Sequence, residues 1–216
     1  MNDMQHCPLC EHTTTHLYHT DKRRAYLQCA ACALVFVERQ ALLAPENEKA
    51  IYDLHQNHPE DDGYQRFLSR VINPLLDRLS VPAKGLDFGC GPGPVLASML
   101  RNAGHDVACY DPFYAPQTDV LDAHYDFITC TEAIEHFYWP KVQWQQWLSM
   151  LKPGGYLGIM TKLVKDPDAF SRWHYKNDLT HVSFFSRYTF QFLAHQAGLE
   201  LTFIGNDVIL MRKPES

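Results

Sequence analysis

The sequence predicts an α/β fold, a mainly parallel sheet with helices on both faces, preceded by a small metal-dependent ribbon. Three observations carry this. Two C-x-x-C pairs stand near the start, short apolar runs alternate with helical stretches from residue 85 onward, and the first such run leads directly into Gly89-Cys90-Gly91-Pro92-Gly93. A chain of 216 residues with 46% hydrophobic content can bury one sizeable core and carry a small appendage.

The ribbon comes first. Cys7-Pro8-Leu9-Cys10 and Cys29-Ala30-Ala31-Cys32 are eighteen residues apart, and each pair can offer two thiolates to one tetrahedral zinc. Two unrelated pairs or a redox dithiol are the alternatives. His6, His12, His16 and His19 lie near enough to replace a thiolate but read as exposed loop residues. Short strands are expected around Tyr26–Gln28 and Leu34–Val37. Residues 1–44 are too few to fold without their metal. Cys90, Cys109 and Cys130 sit among apolar neighbours in predicted strands, as small core residues do.

Residues 45–83 read as a helical linker or lid. Tyr64, Phe67, Leu68, Val71, Ile72, Leu75, Leu76 and Leu79 recur at three- and four-residue steps, the period of an amphipathic helix, and Pro74 should kink it. From residue 84 to 216 the pattern is strand, turn, helix. Leu86-Asp87-Phe88 is a strand, residues 94–103 a helix ending at Gly104, and 106–110 a second strand ending in Asp111. A third strand covers 126–130. A helix with Trp144, Trp147 and Leu148 stops at Lys152-Pro153-Gly154-Gly155, Tyr156–Met160 is a further strand, and Leu199–Met211 makes two strands around Gly205-Asn206.

Charge limits the partners. The net charge is −6 and the only dense basic run is Lys22-Arg23-Arg24, which argues against nucleic acid. There is no apolar span of the ~18 residues a membrane helix needs. The first residues lack a signal-peptide pattern, so a cytoplasmic location is expected, where clustered cysteines more often bind metal than form disulfides.

A glycine turn between strand and helix lets a ligand approach the backbone, and an acid ending the next strand can accept ribose hydroxyls. Gly89, Gly91 and Gly93 supply the turn and Asp111 the acid. Such a turn also suits NAD enzymes, but Asp87 within the first strand favours a ligand with a cationic group. The stretch T-E-A-I-E-H-F (131–137) follows the third strand. If Thr131 starts a helix, Glu132, Glu135 and His136 share one face.

L-D-F-G-C-G-P-G, Tyr110-Asp111-Pro112, Tyr125 to Glu132 and L-K-P-G-G-Y-L together resemble the ordered motifs of class I S-adenosylmethionine-dependent methyltransferases, over roughly residues 85–211. C-P-L-C…C-A-A-C-A-L-V-F-V resembles the zinc ribbon that precedes this domain in many bacterial members. The resemblance implies a Rossmann-like sheet, mainly parallel with an antiparallel last strand. It implies that Asp87, Phe88, Gly89 and Gly91 line the methionine end of the cofactor, that Asp111 and Pro112 flank the ribose, and that Cys130 and Thr131 pass beside the sulfonium. Tyr52 and Tyr64 would close over it. This sequence departs from the family after Asp111, where thirteen residues replace a helix and a strand, so an abbreviated sheet edge and adenine pocket are expected.

Two metal-dependent branches of that family, small-RNA 2′-O-methyltransferases and ubiquinone-pathway O-methyltransferases, carry E-x-x-E-H at this point with a later histidine. The resemblance implies that Glu132, Glu135, His136 and His181 hold Mg²⁺ or a similar ion, with His136, Glu135 and His181 as catalytic residues. Alternatively the same groups cap the following turn. Phe170–Asp178 is either an acceptor-pocket wall, with His174 or His181 as base, or a loop packed by its own aromatics. The expected activity is methyl transfer to oxygen or nitrogen of a small-molecule or sugar-type acceptor. An RNA methyltransferase gripping RNA through the ribbon, and a non-catalytic cofactor-binding scaffold, are the other readings.

Overall fold

The cysteine pairs and the apolar runs become two sheets in the computed structural model, which describes residues 6–54 and 61–215. The chain opens with three antiparallel strands, β1 (Thr15–Thr20), β2 (Ala25–Cys29) and β3 (Val35–Val37). Two helices follow, α1 (Pro45–Tyr52) and α2 (Asp62–Leu76). The large sheet then begins with β4 (Lys84–Phe88), α3 (Val95–Asn102) and β5 (Asp106–Tyr110). It continues through β6 (Tyr125–Thr131), α4 (Pro140–Met150) and β7 (Leu151–Met160). The chain ends with α5 (Pro167–Ser171), β8 (Ser183–Phe184), α6 (Arg187–Ala197), β9 (Glu200–Ile204) and β10 (Val208–Arg212).

The large sheet has the order β5-β4-β6-β7-β10-β9. Its first four strands are parallel, and β10 runs antiparallel to both β7 and β9. Parallel strands buried on both faces need near-continuous apolar runs, and Leu86, Phe88, Phe127, Ile128, Cys130, Leu157 and Ile159 are all buried. β5 forms the sheet edge. Between it and β6 the chain makes only a 3-10 turn at Thr118–Asp122, whose Val120 carbonyl accepts the Tyr125 hydroxyl at 2.6 Å. The shortening after Asp111 therefore removes one strand from this edge.

Asp61 caps α2 by accepting the Gly63 and Tyr64 N–H groups at 2.7 and 3.1 Å. Leu68, Val71, Ile72 and Leu75 face inward from this helix, and it runs past Pro74 to Leu76. Two local expectations change. β7 starts at Leu151, so Lys152-Pro153-Gly154-Gly155 is part of the strand and not a stop before it. The register against β6 shifts between Tyr125 and Phe127, and a side chain on Gly155 would meet the Asp126 carbonyl at 2.9 Å. Glycine there lets the strand bulge without ending. Cys90 lies in the glycine turn, not in a strand.

The ribbon does not stand apart. β3 pairs with β8, Val35 opposite Phe184 and Phe36 opposite Ser183, making the small sheet β1-β2-β3-β8. Tyr26, Val35 and Val37 share one apolar cluster with Phe170, Tyr175, Val182 and Phe184. Among the described residues no helix is long and apolar enough to cross a membrane.

Candidate active site

The parallel strands end on one side, and the cavity of about 680 Å³ lies there, where ligands bind in open α/β sheets. β4 brings Asp87 to the rim of this cavity. Its carboxylate is 3% exposed and accepts the Thr129 hydroxyl at 3.0 Å. Burial, followed by the Cys109 thiol, pushes its pKa up to about 7. The backbone then turns through Gly89 (φ +78°) and Gly91 (φ +64°). At Gly89 a Cβ would lie 2.6 Å from the Ala133 Cβ, so glycine lets the turn lie against the β6 loop. The Asp111 carboxylate accepts N–H from Gly91 at 3.0 Å, and from Phe113 and Tyr114 at 2.9 and 3.1 Å. These bonds hold the acid beside the turn.

Asp87, Phe88, Gly89, Gly91, Asp111, Pro112, Thr131 and Tyr64 all line the cavity. Cys130 does not; it is 1% exposed and belongs to the apolar core under the site. Tyr64 reaches over from α2. Burial, then the charges of Asp87 and Glu132, push its hydroxyl up to about 12. Tyr52 covers the opposite side, with its ring 5.1 Å from His136 and 5.8 Å from Phe113. Its hydroxyl donates to the buried Glu48 at 2.7 Å.

T-E-A-I-E-H-F does not open an α-helix. Thr131 ends β6, Glu132 takes φ +47°, and residues 134–136 form one 3-10 turn. A side chain in that left-handed region is uncommon and favours places where surrounding contacts impose it. The kink sends Glu132 elsewhere, while Glu135 and His136 meet His181 from the chain before β8. The Glu135, His136 and His181 ligand atoms all lie within 4.8 Å of one another. Among the described residues this cluster has three members and not the expected four. The Glu132 carboxylate instead faces the Tyr175 hydroxyl at 3.5 Å, and burial, then the Glu135 charge, push it up to about 8.

Neighbours orient each member of the cluster. Glu135 is 1% exposed and accepts the Thr161 hydroxyl at 2.9 Å and the Tyr175 hydroxyl. Burial raises its pKa. His181 Nδ1 lies 2.7 Å from the Tyr175 carbonyl, and His136 Nδ1 lies 3.1 Å from the Thr180 carbonyl. A carbonyl only accepts, so each Nδ1 carries the proton and Nε2 is the basic nitrogen. Burial, then His136, lower the His181 pKa to about 4, so it is a neutral imidazole at pH 7.

The Phe170–Asp178 segment divides between its two readings. Phe170 packs on Tyr18, Tyr26 and Phe184, Trp173 on Tyr175, and His174 is exposed away from the cavity. Only Asp178, with His181 after it, reaches the cavity wall. The aromatics are therefore packing, and His174 is no base.

The four ribbon thiols converge as well. Cys7 and Cys32 Sγ are 3.5 Å apart, as are Cys10 and Cys29 Sγ. Four thiolates at ~2.3 Å around a tetrahedral zinc would be spaced about 3.8 Å apart, so the cluster has the dimensions for that ion. None of the nearby histidines joins it.

Residues 61–203, more than half of the chain, match the family model described as a methyltransferase domain. The chain belongs to that family. It is a class I S-adenosylmethionine-dependent methyltransferase, with the Rossmann-like sheet of that class. No curated protein matches its sequence. Solved structures match its fold. A protein from Galdieria sulphuraria provisionally assigned as a sarcosine dimethylglycine methyltransferase is 16% identical, covering 79% of this chain and 99% of its own, with a TM-score of 0.53. A chain from the complex between the Haloferax volcanii Trm112 methyltransferase activator and its provisionally assigned methyltransferase is 11% identical, covering 77% and 97%, with a TM-score of 0.50. An O-methyltransferase family protein from Burkholderia thailandensis is 15% identical, covering 78% and 63%, also at 0.50. At these identities the likeness is one of fold.

The cavity suits the cofactor of such an enzyme. Thr131 Oγ1, Glu132 Oε1 and Gln143 Oε1 are buried polar atoms in cavity-lining residues, with no hydrogen-bond partner among the described residues. Buried polar atoms without partners are costly, and a polar ligand satisfies them. Sequence reasoning missed Gln143, which lies in a helix with no motif of its own. Tyr175 and Asp178 fall inside the Phe170–Asp178 segment, and only tertiary packing singles them out from it.

Proposed function

We propose that this methyltransferase acts on an oxygen nucleophile of a small molecule, a catechol or vicinal diol, held at Glu135, His136 and His181 by a divalent cation. The observation that carries this is the convergence of one carboxylate and two imidazoles within 4.8 Å at the C-terminal end of β6, on the wall of the cofactor cavity. Two nitrogen donors and one oxygen suit Mn²⁺ or Fe²⁺ better than Mg²⁺, which prefers an all-oxygen octahedron.

S-Adenosylmethionine supplies an electrophilic methyl group on its sulfonium. The residues of this chain do the rest. Asp87 meets the cationic methionine end, and Asp111 accepts from the ribose once the ligand competes with the backbone N–H groups it now holds. Gln143 Oε1, an acceptor on the cavity wall with no partner among the described residues, accepts from the adenine amino group. Glu135, His136 and His181 would hold the cation, which lowers the pKa of a bound hydroxyl. With its Nδ1–H on the Tyr175 carbonyl and its Nε2 toward the cation, His181 serves as a ligand and not as the base. The acidified hydroxyl gives up its proton to solvent before methyl transfer. Tyr52 and Tyr64 exclude water. Cys7, Cys10, Cys29 and Cys32 would hold a structural zinc in the ribbon. The acceptor is small because Glu48 and Tyr52 of α1 wall part of the cavity and the net charge of −6 disfavours RNA.

The test is transfer of labelled methyl from S-adenosylmethionine to a panel of catechols and vicinal diols, with divalent cation added or withheld from zinc-loaded protein. Cation-dependent methylation is expected, and loss of it in a Glu135→Ala, His136→Ala double variant. Undiminished turnover without added cation would overturn the metal-assisted reading.

A further inference from the structure

The segment that brings His181 to the cavity is gripped from the ribbon, and by one side chain above all. Arg24 is 6% exposed. Its Nη1 donates to the Leu179 carbonyl at 3.0 Å, and its Nη2 to the Lys176 and Asp178 carbonyls at 2.9 Å each. Its Nε donates to the Tyr26 hydroxyl at 3.0 Å, and that hydroxyl donates to Asp21 at 2.9 Å. Asp21 also accepts the Arg24 N–H at 3.1 Å and faces the buried Lys176 ammonium at 3.5 Å. The guanidinium therefore has a built seat in the ribbon and uses its outer N–H groups on another part of the chain. A planar, pre-organised fork of donors can hold three backbone carbonyls at once in a fixed geometry.

What it holds leads directly to the site. Asp178 and His181 line the cavity, and the Thr180 carbonyl sets the His136 ring. His181 Nδ1 bonds the Tyr175 carbonyl, one residue before the first gripped carbonyl. The far end is clamped too, since the Val182 N–H donates to the Glu135 carbonyl at 2.8 Å and β8 pairs with β3. Buried carbonyls that lose their donor must move to find another.

We propose that Arg24 is a positioning residue, through which the folded ribbon fixes the orientation of the His136 and His181 imidazoles on the acceptor side of the site. This rests on the acceptor side lying at those imidazoles, as argued above. Nothing in the Arg24 contacts touches Asp87, the glycine turn or Asp111, so the cofactor side is independent of it.

The experiment is long-range ¹H–¹⁵N NMR of the histidine rings in the full chain, zinc loaded and with S-adenosylhomocysteine bound, assigned with His136→Gln and His181→Gln. In the unaltered protein both rings should show the Nδ1–H tautomer. In Arg24→Met, which keeps the apolar stem without donors, S-adenosylhomocysteine affinity should stay within about twofold, while the His181 and His136 signals lose that single tautomer. Arg24→Gln, with one amide, should move them less. Unchanged ring signals in Arg24→Met, or in Arg24→Gln if only that variant binds S-adenosylhomocysteine, would overturn the proposal. Loss of S-adenosylhomocysteine binding in both variants would overturn it as well. No cation is used, so failure of the metal-assisted reading leaves this result standing.

Discussion

Asp87 accepts the Thr129 hydroxyl at 3.0 Å across neighbouring parallel strands, and this bond stabilises its charged form inside the sheet. The bond is outweighed by burial, which leaves the carboxyl with a pKa of about 7. A buried carboxylate of this kind is prepared for a cation, because a nearby positive charge favours the ionised form.

The pH dependence of cofactor binding follows from that. Without ligand Asp87 is largely protonated at pH 6 and largely ionised at pH 8. A ligand whose ammonium needs the carboxylate must displace a proton at the lower pH. S-Adenosylhomocysteine affinity measured by calorimetry should therefore rise by up to about tenfold from pH 6 to pH 8. Asp87→Asn should bind weakly and flatten the curve, which separates Asp87 from Glu132 on the same cavity. The linkage has the opposite sign for the free protein. A carboxyl whose pKa is raised by folding costs stability as pH rises from about 4 to about 7.

The glycine turn offers a second test. Gly89→Ala places a Cβ 2.6 Å from Ala133 in addition to the strain of φ +78°, whereas Gly91→Ala meets nothing within 4 Å at φ +64°. Thermal unfolding should show Gly91→Ala costing about 1 kcal/mol for its left-handed backbone and Gly89→Ala about 1–3 kcal/mol more for overpacking. Equal losses would mean that the turn does not lie against the β6 loop.

Zinc should be structural. Elemental analysis is expected to find about one zinc per chain, as four convergent thiolates require, and Cys32→Ser should lose it. Because β3 carries β8 in its sheet, that loss should also lower the melting temperature of the whole chain. Zinc loss with an unchanged melting transition would show that the ribbon folds independently.

Gln143 should read the adenine. Gln143→Leu is expected to weaken S-adenosylhomocysteine by about 1–2 kcal/mol, the cost of an unpaired polar group. It should leave S-inosylhomocysteine, which lacks the amino donor, nearly unaffected. Parallel losses for both ligands would remove Gln143 from the adenine contacts.

Much of the sheet was legible because its strands are short apolar runs bounded by glycine, and because Gly89, Gly91 and Asp111 mark the ends of adjacent parallel strands. The shortening after Asp111 was legible as a count of residues. The geometry of T-E-A-I-E-H-F was not, since helical spacing cannot foresee that Glu132 turns to φ +47° and leaves the face shared by Glu135 and His136. β1 was missed because T-H-L-Y-H-T is mostly polar and gains its place by pairing with β2. β8 is two residues long and exists only through β3. The grip of Arg24 on residues 176–179 joins positions far apart in sequence, which no local pattern records.

The most direct test of the metal-assisted reading is Mn²⁺ binding followed by electron paramagnetic resonance, on zinc-loaded protein with S-adenosylhomocysteine bound. The geometry predicts a single site that disappears in Glu135→Gln and in His181→Ala but persists in Glu132→Gln, since Glu132 stands outside the cluster. Absence of a bound Mn²⁺, or equal loss in Glu132→Gln, would contradict it. Glu135, His136 and His181 would then be the polar lining of an acceptor pocket that works without a cation.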